Sequence, residues 1–131
     1  MNFFETFQAL NQILEVSPEL WEMTGTPLRI FVTLDRSEEG VYIDTDKKII
    51  SFPVSIRSQP VAANFIFENK AFEMALEGEA PLSLLYEYQK LRAFGDPKTV
   101  FCASLFLSRL ISIATEENDH ISLDVDQTLI H

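Results

Sequence analysis

The hydrophobic period of this 131-residue chain changes from helical to extended and back again, and this change limits the folds that it can form. The first apolar residues recur at steps of four, three and four, which predicts an amphipathic helix. They are Phe3, Phe7, Leu10 and Leu14. Asn2 is placed to cap this helix, with Glu5 at its third position. Ser17-Pro18 predicts a second, short helix that ends at Gly25.

From Leu28 the period is two, which is the pattern of half-buried strands. The apolar positions of the four strands that it predicts are Leu28, Ile30, Val32 and Leu34; Val41 and Ile43; Ile50, Phe52, Val54 and Ile56; and Val61, Ala63, Phe65 and Phe67. A polar turn that ends at Gly40 indicates a hairpin of the first two strands. Pro53 removes a donor from the strand ladder, so the third strand is predicted at a sheet edge or at a bulge.

Helical spacing returns at Asn69, which is predicted as a cap residue, and it stops at Gly78. Pro81 opens another helix, and a short fifth strand is predicted over residues 90–94. Because the strands come first and most helices follow them, the order of elements predicts an α+β fold. In such a fold the helices pack on one face of a largely antiparallel sheet.

The last predicted helix, from about Pro97 to Thr115 with Asp96 as its cap, is apolar on nearly all sides. Of the 15 residues from Val100 to Ala114, 11 are apolar. Its polar side is a narrow stripe of small residues at Ser104, Ser108 and Ser112, next to Arg109. A surface helix has a broader charged face, so core, a second subunit or a bound apolar molecule must cover the rest.

We expect one domain over residues 1–131, with an acidic tail over 116–131. In this tail Ile121, Leu123 and Val125 alternate with polar residues. The alternation predicts that the tail either adds a strand or remains loose.

The net charge of −10 at pH 7 arises at the two ends of the chain. Residues 1–28 contain four acids and residues 110–131 five, with no Lys or Arg in either segment, whereas residues 29–109 contain 11 acids and 10 bases. The acidic balance excludes nucleic acid as an expected partner, because phosphate binding relies on clustered cations. It leaves at most transient membrane contact.

We expect a cytoplasmic protein that does not cross a membrane. The first 28 residues lack a basic leader, and the single cysteine, Cys102, cannot form an internal disulfide. The longest uncharged apolar stretch, residues 99–108, is shorter than the roughly 20 residues that a membrane span needs.

Residues that could carry catalysis or bind a metal are few, and we predict no catalytic residue, no metal and no cofactor. Cys102 lies in the apolar helix, as a small buried side chain does, while His120 and His131 lie in the acidic tail. The acidic pairs Asp44-x-Asp46 and Asp124-x-Asp126 have the spacing of a hard-cation or acid–base site, but such alternation is typical of a solvated strand face. The remaining candidate is an anion site at Lys90, Arg92 and Lys98, residues that also suit an ordinary surface.

The stretch from Phe65 to Leu110 resembles the sterol carrier protein 2 (SCP2) domain, a family of lipid-transfer proteins. The motifs that carry the resemblance are Phe65-Ile66-Phe67; Phe72, Leu76 and Gly78; the segment YQKLRAFGD at residues 88–96; and the apolar run from Leu105 to Leu110. Two positions depart from the family pattern: Gln89 stands where a glycine is usual, and Ala62 where an acidic residue is often found.

The resemblance implies a five-stranded sheet with helices on one face and an apolar tunnel between them for a fatty acyl chain, a sterol or an isoprenoid tail. The 11 Phe residues fit such a cavity. The residues that we expect to line it are Ile30, Val32, Phe52, Val54, Phe65, Phe67, Phe72, Leu76, Leu85, Phe101, Leu105 and Leu110.

The leading hypothesis is therefore a non-catalytic lipid-binding protein. One alternative is an interaction module that keeps this fold with a filled tunnel and forms a homodimer through the last helix or residues 121–125. Another is a small enzyme that uses the Asp pairs.

Overall fold

The computed structural model describes residues 2–55 and 61–130, and it describes side chains through Glu116. A 3₁₀ helix, Pro18–Thr24, lies between the first helix and the first strand. The other elements, in chain order, are α1 (Phe3–Val16), β1 (Arg29–Leu34), β2 (Glu39–Asp44), β3 (Ile49–Ser55), β4 (Ala63–Phe67), α2 (Asn69–Leu76), α3 (Leu82–Glu87), β5 (Leu91–Gly95) and α4 (Pro97–Ile130).

The five strands form one sheet in the order β3-β2-β1-β4-β5. The β1–β4 pair is parallel and the other three pairs are antiparallel. The expected α+β fold with a mainly antiparallel five-stranded sheet is therefore confirmed. Ile56, expected in the third strand, lies outside the described residues, and β4 begins at Ala63, two residues later than expected.

Strand β3 lies at one edge of the sheet and also contains an irregularity, so both alternatives raised by Pro53 are present. Tyr42 pairs with Ser51, but Gly40 pairs with Val54, so β3 has two residues between these pairs where β2 has one. This extra residue is a β-bulge, and it reverses the face of the residues that follow it. Val54 consequently shares a face with Gly40 rather than with Ile50.

The hydrophobic core lies between the helices and one face of the sheet. The central strands contribute Ile30, Val32, Val41, Ile43, Phe65 and Phe67 to it. The helices contribute one stripe each, including Phe7 and Leu10 from α1, Phe72 and Leu76 from α2, Leu85 from α3, and Leu107 and Leu110 from α4. Trp21 of the 3₁₀ helix stacks on Phe106 of α4, with ring centroids 6.2 Å apart.

The helix ends follow the predicted caps with one exception. The backbone N–H of Glu5 donates to Asn2 Oδ1 at 2.8 Å, and the Asn2 N–H donates to Glu5 Oε2 at 3.3 Å, which completes a capping box. At α2 the cap is Glu68 instead of Asn69, because Glu68 has the extended backbone and its carbonyl accepts from Ala71 N–H at 2.9 Å.

Helix α4 is longer than predicted. Asp96 caps it as expected, since Oδ2 accepts from the Thr99 N–H at 3.2 Å. The helix continues to Ile130, so the strand predicted around residues 121–125 is wrong. The sequence contains no Gly or Pro after Pro97, and nothing in it stops the helix at Thr115. The loose tail over residues 116–131 stays a prediction.

The sheet face that points away from the helices also buries an aromatic ring. Phe31 is 1% exposed there, beside Tyr42 on β2. The ring lies over Gly40: a Cβ at Gly40 would be 2.9 Å from Phe31 Cζ and would also collide with the Val32 carbonyl oxygen. Gly40 is required here by space, because a side chain would displace either the ring or the backbone.

Replacing Gly40 with Ala is therefore expected to lower the free energy of unfolding by about 3 kcal/mol. Gly25→Ala is the control: its left-handed φ of 68° costs about 1 kcal/mol for Ala, but nothing lies within 4 Å of the added Cβ. Urea unfolding measures both variants. An equal loss in the two would contradict the proposed packing of Phe31 on Gly40.

Candidate functional site

Eight of the twelve residues expected to line a cavity lie in the shared core between sheet and helices. They are Ile30, Val32, Phe65, Phe67, Phe72, Leu76, Leu85 and Leu110. Phe52 is partly buried and packs against this core. The structure thus brings most of the predicted residues into one apolar layer.

Three of the twelve lie elsewhere, which corrects the expectation for them. Phe101 and Leu105 are 63% and 59% exposed, because they occupy the side of α4 opposite to its buried stripe. Val54 is on the far face of the sheet, because the bulge reverses β3. A helix that is apolar on nearly all sides has no sequence signal that tells which side is buried.

The interior between α1, α2 and the sheet is filled by four aromatic rings, which we call the aromatic layer: Phe3, Phe7, Phe67 and Phe72. The ring centroid of Phe72 lies 5.0 Å from Phe3, 5.3 Å from Phe67 and 6.0 Å from Phe7. Edge-to-face and offset contacts at such distances are attractive. The site residues that the sequence reasoning missed are Phe3 and Phe7, although their spacing had already placed them on the buried face of α1.

A groove of about 390 Å³ opens to solvent next to the aromatic layer, and we call it the α1 groove. Phe3, Phe4 and Leu34 form its apolar part, and polar side chains such as Gln8 and Glu39 form its rim. Phe4 is 36% exposed and stacks on Phe52 of the edge strand, with centroids 6.1 Å apart. The volume is within the range of small-molecule sites, roughly 300–1,000 Å³.

A second groove, of about 340 Å³, separates α4 from the connection between α2 and α3. Its walls include small side chains such as Ala75, Ala80 and Ser108. The Thr115 hydroxyl donates to the Leu76 carbonyl at 2.7 Å, and this bond fastens α4 to the end of α2. This hydrogen bond joins the two sides of the groove.

The acidic pair at Asp44 and Asp46 belongs to a turn. Asp44 Oδ1 accepts from the backbone N–H groups of Asp46 and Lys47, both at 3.0 Å, and the Tyr42 hydroxyl donates to Asp44 Oδ2 at 3.4 Å. Burial raises the pKa of Tyr42 above its ordinary value, and the Asp44 carboxylate raises it further. Within residues 2–55 and 61–116, no group of three His, Cys, Asp or Glu side chains could hold a metal ion.

The other chemical candidates are dispersed. Lys90 Nζ pairs with Glu68 at 3.3 Å and Arg92 pairs with Asp35 at 2.9 Å, whereas Lys98 has no ion pair with a described residue. Cys102 is a partly buried free thiol. The side chains of Asp124, Asp126, His120 and His131 lie outside the described part of the chain.

Residues Pro97–Glu116 of α4 are long and apolar enough to cross a membrane by length and composition, contrary to the expectation from the sequence. One third of this window is buried inside the protein. Side chains such as Ala103, Leu107 and Leu110 are in the core, so the apolar composition of this helix is in part that of a core helix.

These features place the chain in the class of proteins with the SCP2-like fold, and comparison with solved structures supports the same class. The matched structures include one titled UbiJ-SCP2 ubiquinone synthesis protein, with a TM-score of 0.58 and 14% identity over 82% of this chain and 85% of the other. The sterol carrier protein domain 2 of Helicoverpa armigera matches with a TM-score of 0.58 and 13% identity over 87% and 88% of the two chains.

Sterol carrier protein 2 from Yarrowia lipolytica, in its apo form, matches with a TM-score of 0.56 and 12% identity over 86% and 88% of the two chains. The sequence matches no protein-family model and no curated protein. The expected resemblance to SCP2 is thus confirmed at the level of the fold.

Gln89, the most evident departure from the family motif, has a backbone conformation that glycine adopts more readily than other residues. Its φ is 60°, in the left-handed region, and the next residues enter β5. The backbone is held by hydrogen bonds on both sides, from Gln89 N–H to the Tyr86 carbonyl at 3.1 Å and from Lys90 N–H to the Leu85 carbonyl at 2.8 Å. A glycine fits this conformation without the steric cost that a Cβ brings.

Gln89→Gly is therefore expected to raise the free energy of unfolding by about 1 kcal/mol, because it relieves this cost. The same substitution at Gln12, exposed within α1, should lower it by about 1 kcal/mol. Chemical denaturation of the two variants measures the difference. A loss of stability in Gln89→Gly would argue against a strained backbone at this position.

Phe72 is the ring that touches the other three members of the aromatic layer. Phe72→Ala should lower the free energy of unfolding by about 4 kcal/mol, since it leaves a cavity that the backbone cannot close. Phe94→Ala, at a ring that is half exposed on β5, should cost about 1 kcal/mol or less. Thermal and urea unfolding distinguish the two, and similar losses would mean that the layer is loosely packed.

Proposed function

We propose that this protein binds an apolar lipid without catalysing a reaction, and that the lipid enters between α1 and the sheet through the α1 groove. The observation that carries the proposal is that this groove opens directly onto the aromatic layer through Phe3. Apolar surface is therefore continuous from the solvent edge to the interior. The fold supports the same class of ligand, since two of the matched structures are titled sterol carrier proteins and one a ubiquinone synthesis protein.

The filled interior means that a lipid tail has to displace aromatic rings. Transfer of about 12 methylenes out of water contributes roughly 10 kcal/mol before any cost. Separating ring pairs such as Phe4–Phe52 costs about 1 kcal/mol each, and ordering the chain costs several more. Affinity in the micromolar range is the expected result, which suits a protein that has to release its cargo.

Release at a brief contact with a membrane is compatible with the charge of the body. Residues 29–109 contain 11 acids and 10 bases, so this part of the chain is not strongly repelled by a neutral lipid surface. We include a cytoplasmic location in the proposal.

Native mass spectrometry of the purified protein, with extraction into organic solvent, tests whether lipid is bound. Saturable uptake of a fluorescent fatty acid is expected at micromolar concentrations. The proposal fails if no lipid co-purifies and no saturable uptake occurs.

Phe4→Asp should weaken fatty-acid uptake about tenfold, because it places a charge at the apolar entrance of the α1 groove. Tyr88→Asp is the matched control, since it also removes an exposed ring and adds one negative charge, but at the end of α3. Equal affinity of the two variants would show that the lipid does not pass the α1 groove.

A second candidate function is an interaction module that keeps this fold with a filled interior. The specific observation that favours it is the exposure of Phe101 and Leu105 on α4. From the sequence alone, Leu107 is a candidate position for a charge that disrupts assembly through α4. Its side chain is completely buried, so Leu107→Glu would test folding and not assembly. The exposed Leu105 is the appropriate position.

A further inference from the structure

One side of α4 carries a regular seam of six exposed residues: Lys98, Phe101, Leu105, Ser108, Ser112 and Glu116. Arg109 is exposed beside this seam, and the last three members of the seam also line the second groove, opposite the connection between α2 and α3. Successive members are separated by three, four, three, four and four residues, which is the spacing by which one helix packs along another. Phe101 and Leu105 are 63% and 59% exposed, so most of their apolar surface has no cover in the described part of the chain. The seam therefore has large apolar side chains toward its N-terminal end and small ones toward its C-terminal end.

The charges of this seam are opposite at its two ends. Lys98 lies at the beginning and Glu116 at the end, both exposed, and neither forms an ion pair with a described residue. Among the described residues, ion pairs do form elsewhere, at Lys48–Glu22, Lys90–Glu68 and Arg92–Asp35. The two ends of the seam are thus complementary to each other but too far apart to meet within one helix.

We propose that α4 pairs with α4 of a second copy of this chain in antiparallel orientation. In this arrangement Lys98 faces Glu116 of the second copy, Phe101 faces Ser112 and Leu105 faces Ser108. Along the helix axis, the point halfway between the two residues of each pair lies at the level of Leu107 or just before it. A single two-fold axis at this level therefore generates all three pairs. Between the charged pairs at the two ends, large apolar side chains then pack over small ones.

The opposite charges at the two ends of the seam identify the occupant, because a two-fold axis brings each end of the seam against the other end in the second copy. A parallel pair would place Lys98 beside Lys98 and Glu116 beside Glu116, and like charges would repel. An anionic membrane is disfavoured by Glu116 at one end of the seam, by the serines in it and by the net charge of −10.

This pairing specifies the second candidate function and does not depend on the lipid proposal. The seam runs along α4 beside the second groove, whereas the α1 groove lies between α1 and the sheet and shares no residue with the seam. Phe101→Ser/Leu105→Ser should therefore retain fatty-acid uptake, and Phe4→Asp should retain the dimer. Failure of one proposal can be distinguished from failure of the other.

Sedimentation equilibrium at low ionic strength, over micromolar to millimolar concentrations, tests the pairing. A monomer–dimer equilibrium is expected for the unmodified protein. Phe101→Ser/Leu105→Ser should raise the dimer dissociation constant by about tenfold or more, because the apolar centre of the contact is removed. Both side chains are exposed, so circular dichroism should show an unchanged fold.

Charge reversal tests the antiparallel register. Lys98→Glu or Glu116→Lys alone should raise the dissociation constant about tenfold at low salt, because the two-fold axis turns two attractive pairs into two repulsive ones. The double variant Lys98→Glu/Glu116→Lys should return it to within about twofold of the original value. Lys70→Glu, an equal charge change on the exposed side of α2, should leave it unchanged.

The proposal is overturned if the unmodified protein is monomeric throughout, or if a dimer forms that Phe101→Ser/Leu105→Ser leaves intact. Weakening by both single reversals without recovery in the double variant overturns the register. Cosedimentation of a monomer with phosphatidylcholine vesicles that contain phosphatidylglycerol, lost in the Phe101→Ser/Leu105→Ser variant, would instead assign the seam to a lipid surface.

Discussion

The parallel pairing of β1 with β4 joins the two halves of the molecule, and the rest of the structure depends on it. Strands β1, β2 and β3 come from the first 55 residues, whereas β4, β5 and helices α2 to α4 come from residues after 60. The pairing sets Val32 beside Phe65 and Leu34 beside Phe67. These side chains form a continuous apolar surface on the sheet, and α1 from one half and α2 from the other pack together on this surface.

Aromatic rings connect this surface to the helices. Phe67 of β4 touches Phe72 of α2, and Phe72 in turn touches Phe3 and Phe7 of α1. The chain of rings thus crosses from the second half of the sequence to the first. These rings are closely packed, and the side chains of Phe7, Phe67 and Phe72 are almost completely buried.

Much of this fold could be predicted from the sequence because the hydrophobic period is unambiguous in most elements. Helix α1, the first two strands and the caps at Asn2 and Asp96 follow from local spacing and local chemistry. The parallel β1–β4 pair does not, because it joins residues that are distant in the sequence and no local pattern encodes it. The extent of α4 was also missed, since alternating residues after 120 resemble a strand when no partner strand is known.

The candidate site was predictable only in part, and the failures have two physical origins. Val54 was assigned to the wrong face because one inserted residue reverses the alternation, and the bulge is visible only when the partner strand is present. Phe101 and Leu105 were assigned to the interior because α4 is apolar on nearly all sides, so its own pattern cannot orient it. The same apolar residues can fill an interior or line an open cavity. For this reason the aromatic layer could not be distinguished from a tunnel lining in the sequence.

Helix α1 is attached to the body differently from α4. Among the described residues, every hydrogen bond of α1 lies within the helix and its caps, including that from the Thr6 hydroxyl to the Asn2 carbonyl at 2.7 Å. Only apolar contacts hold it on the sheet, whereas α4 is fastened to α2 by the hydroxyl of Thr115. Apolar association weakens on cooling. The contacts that hold α1 over the aromatic layer therefore weaken at low temperature, and no hydrogen bond between α1 and the rest of the described chain compensates for this loss.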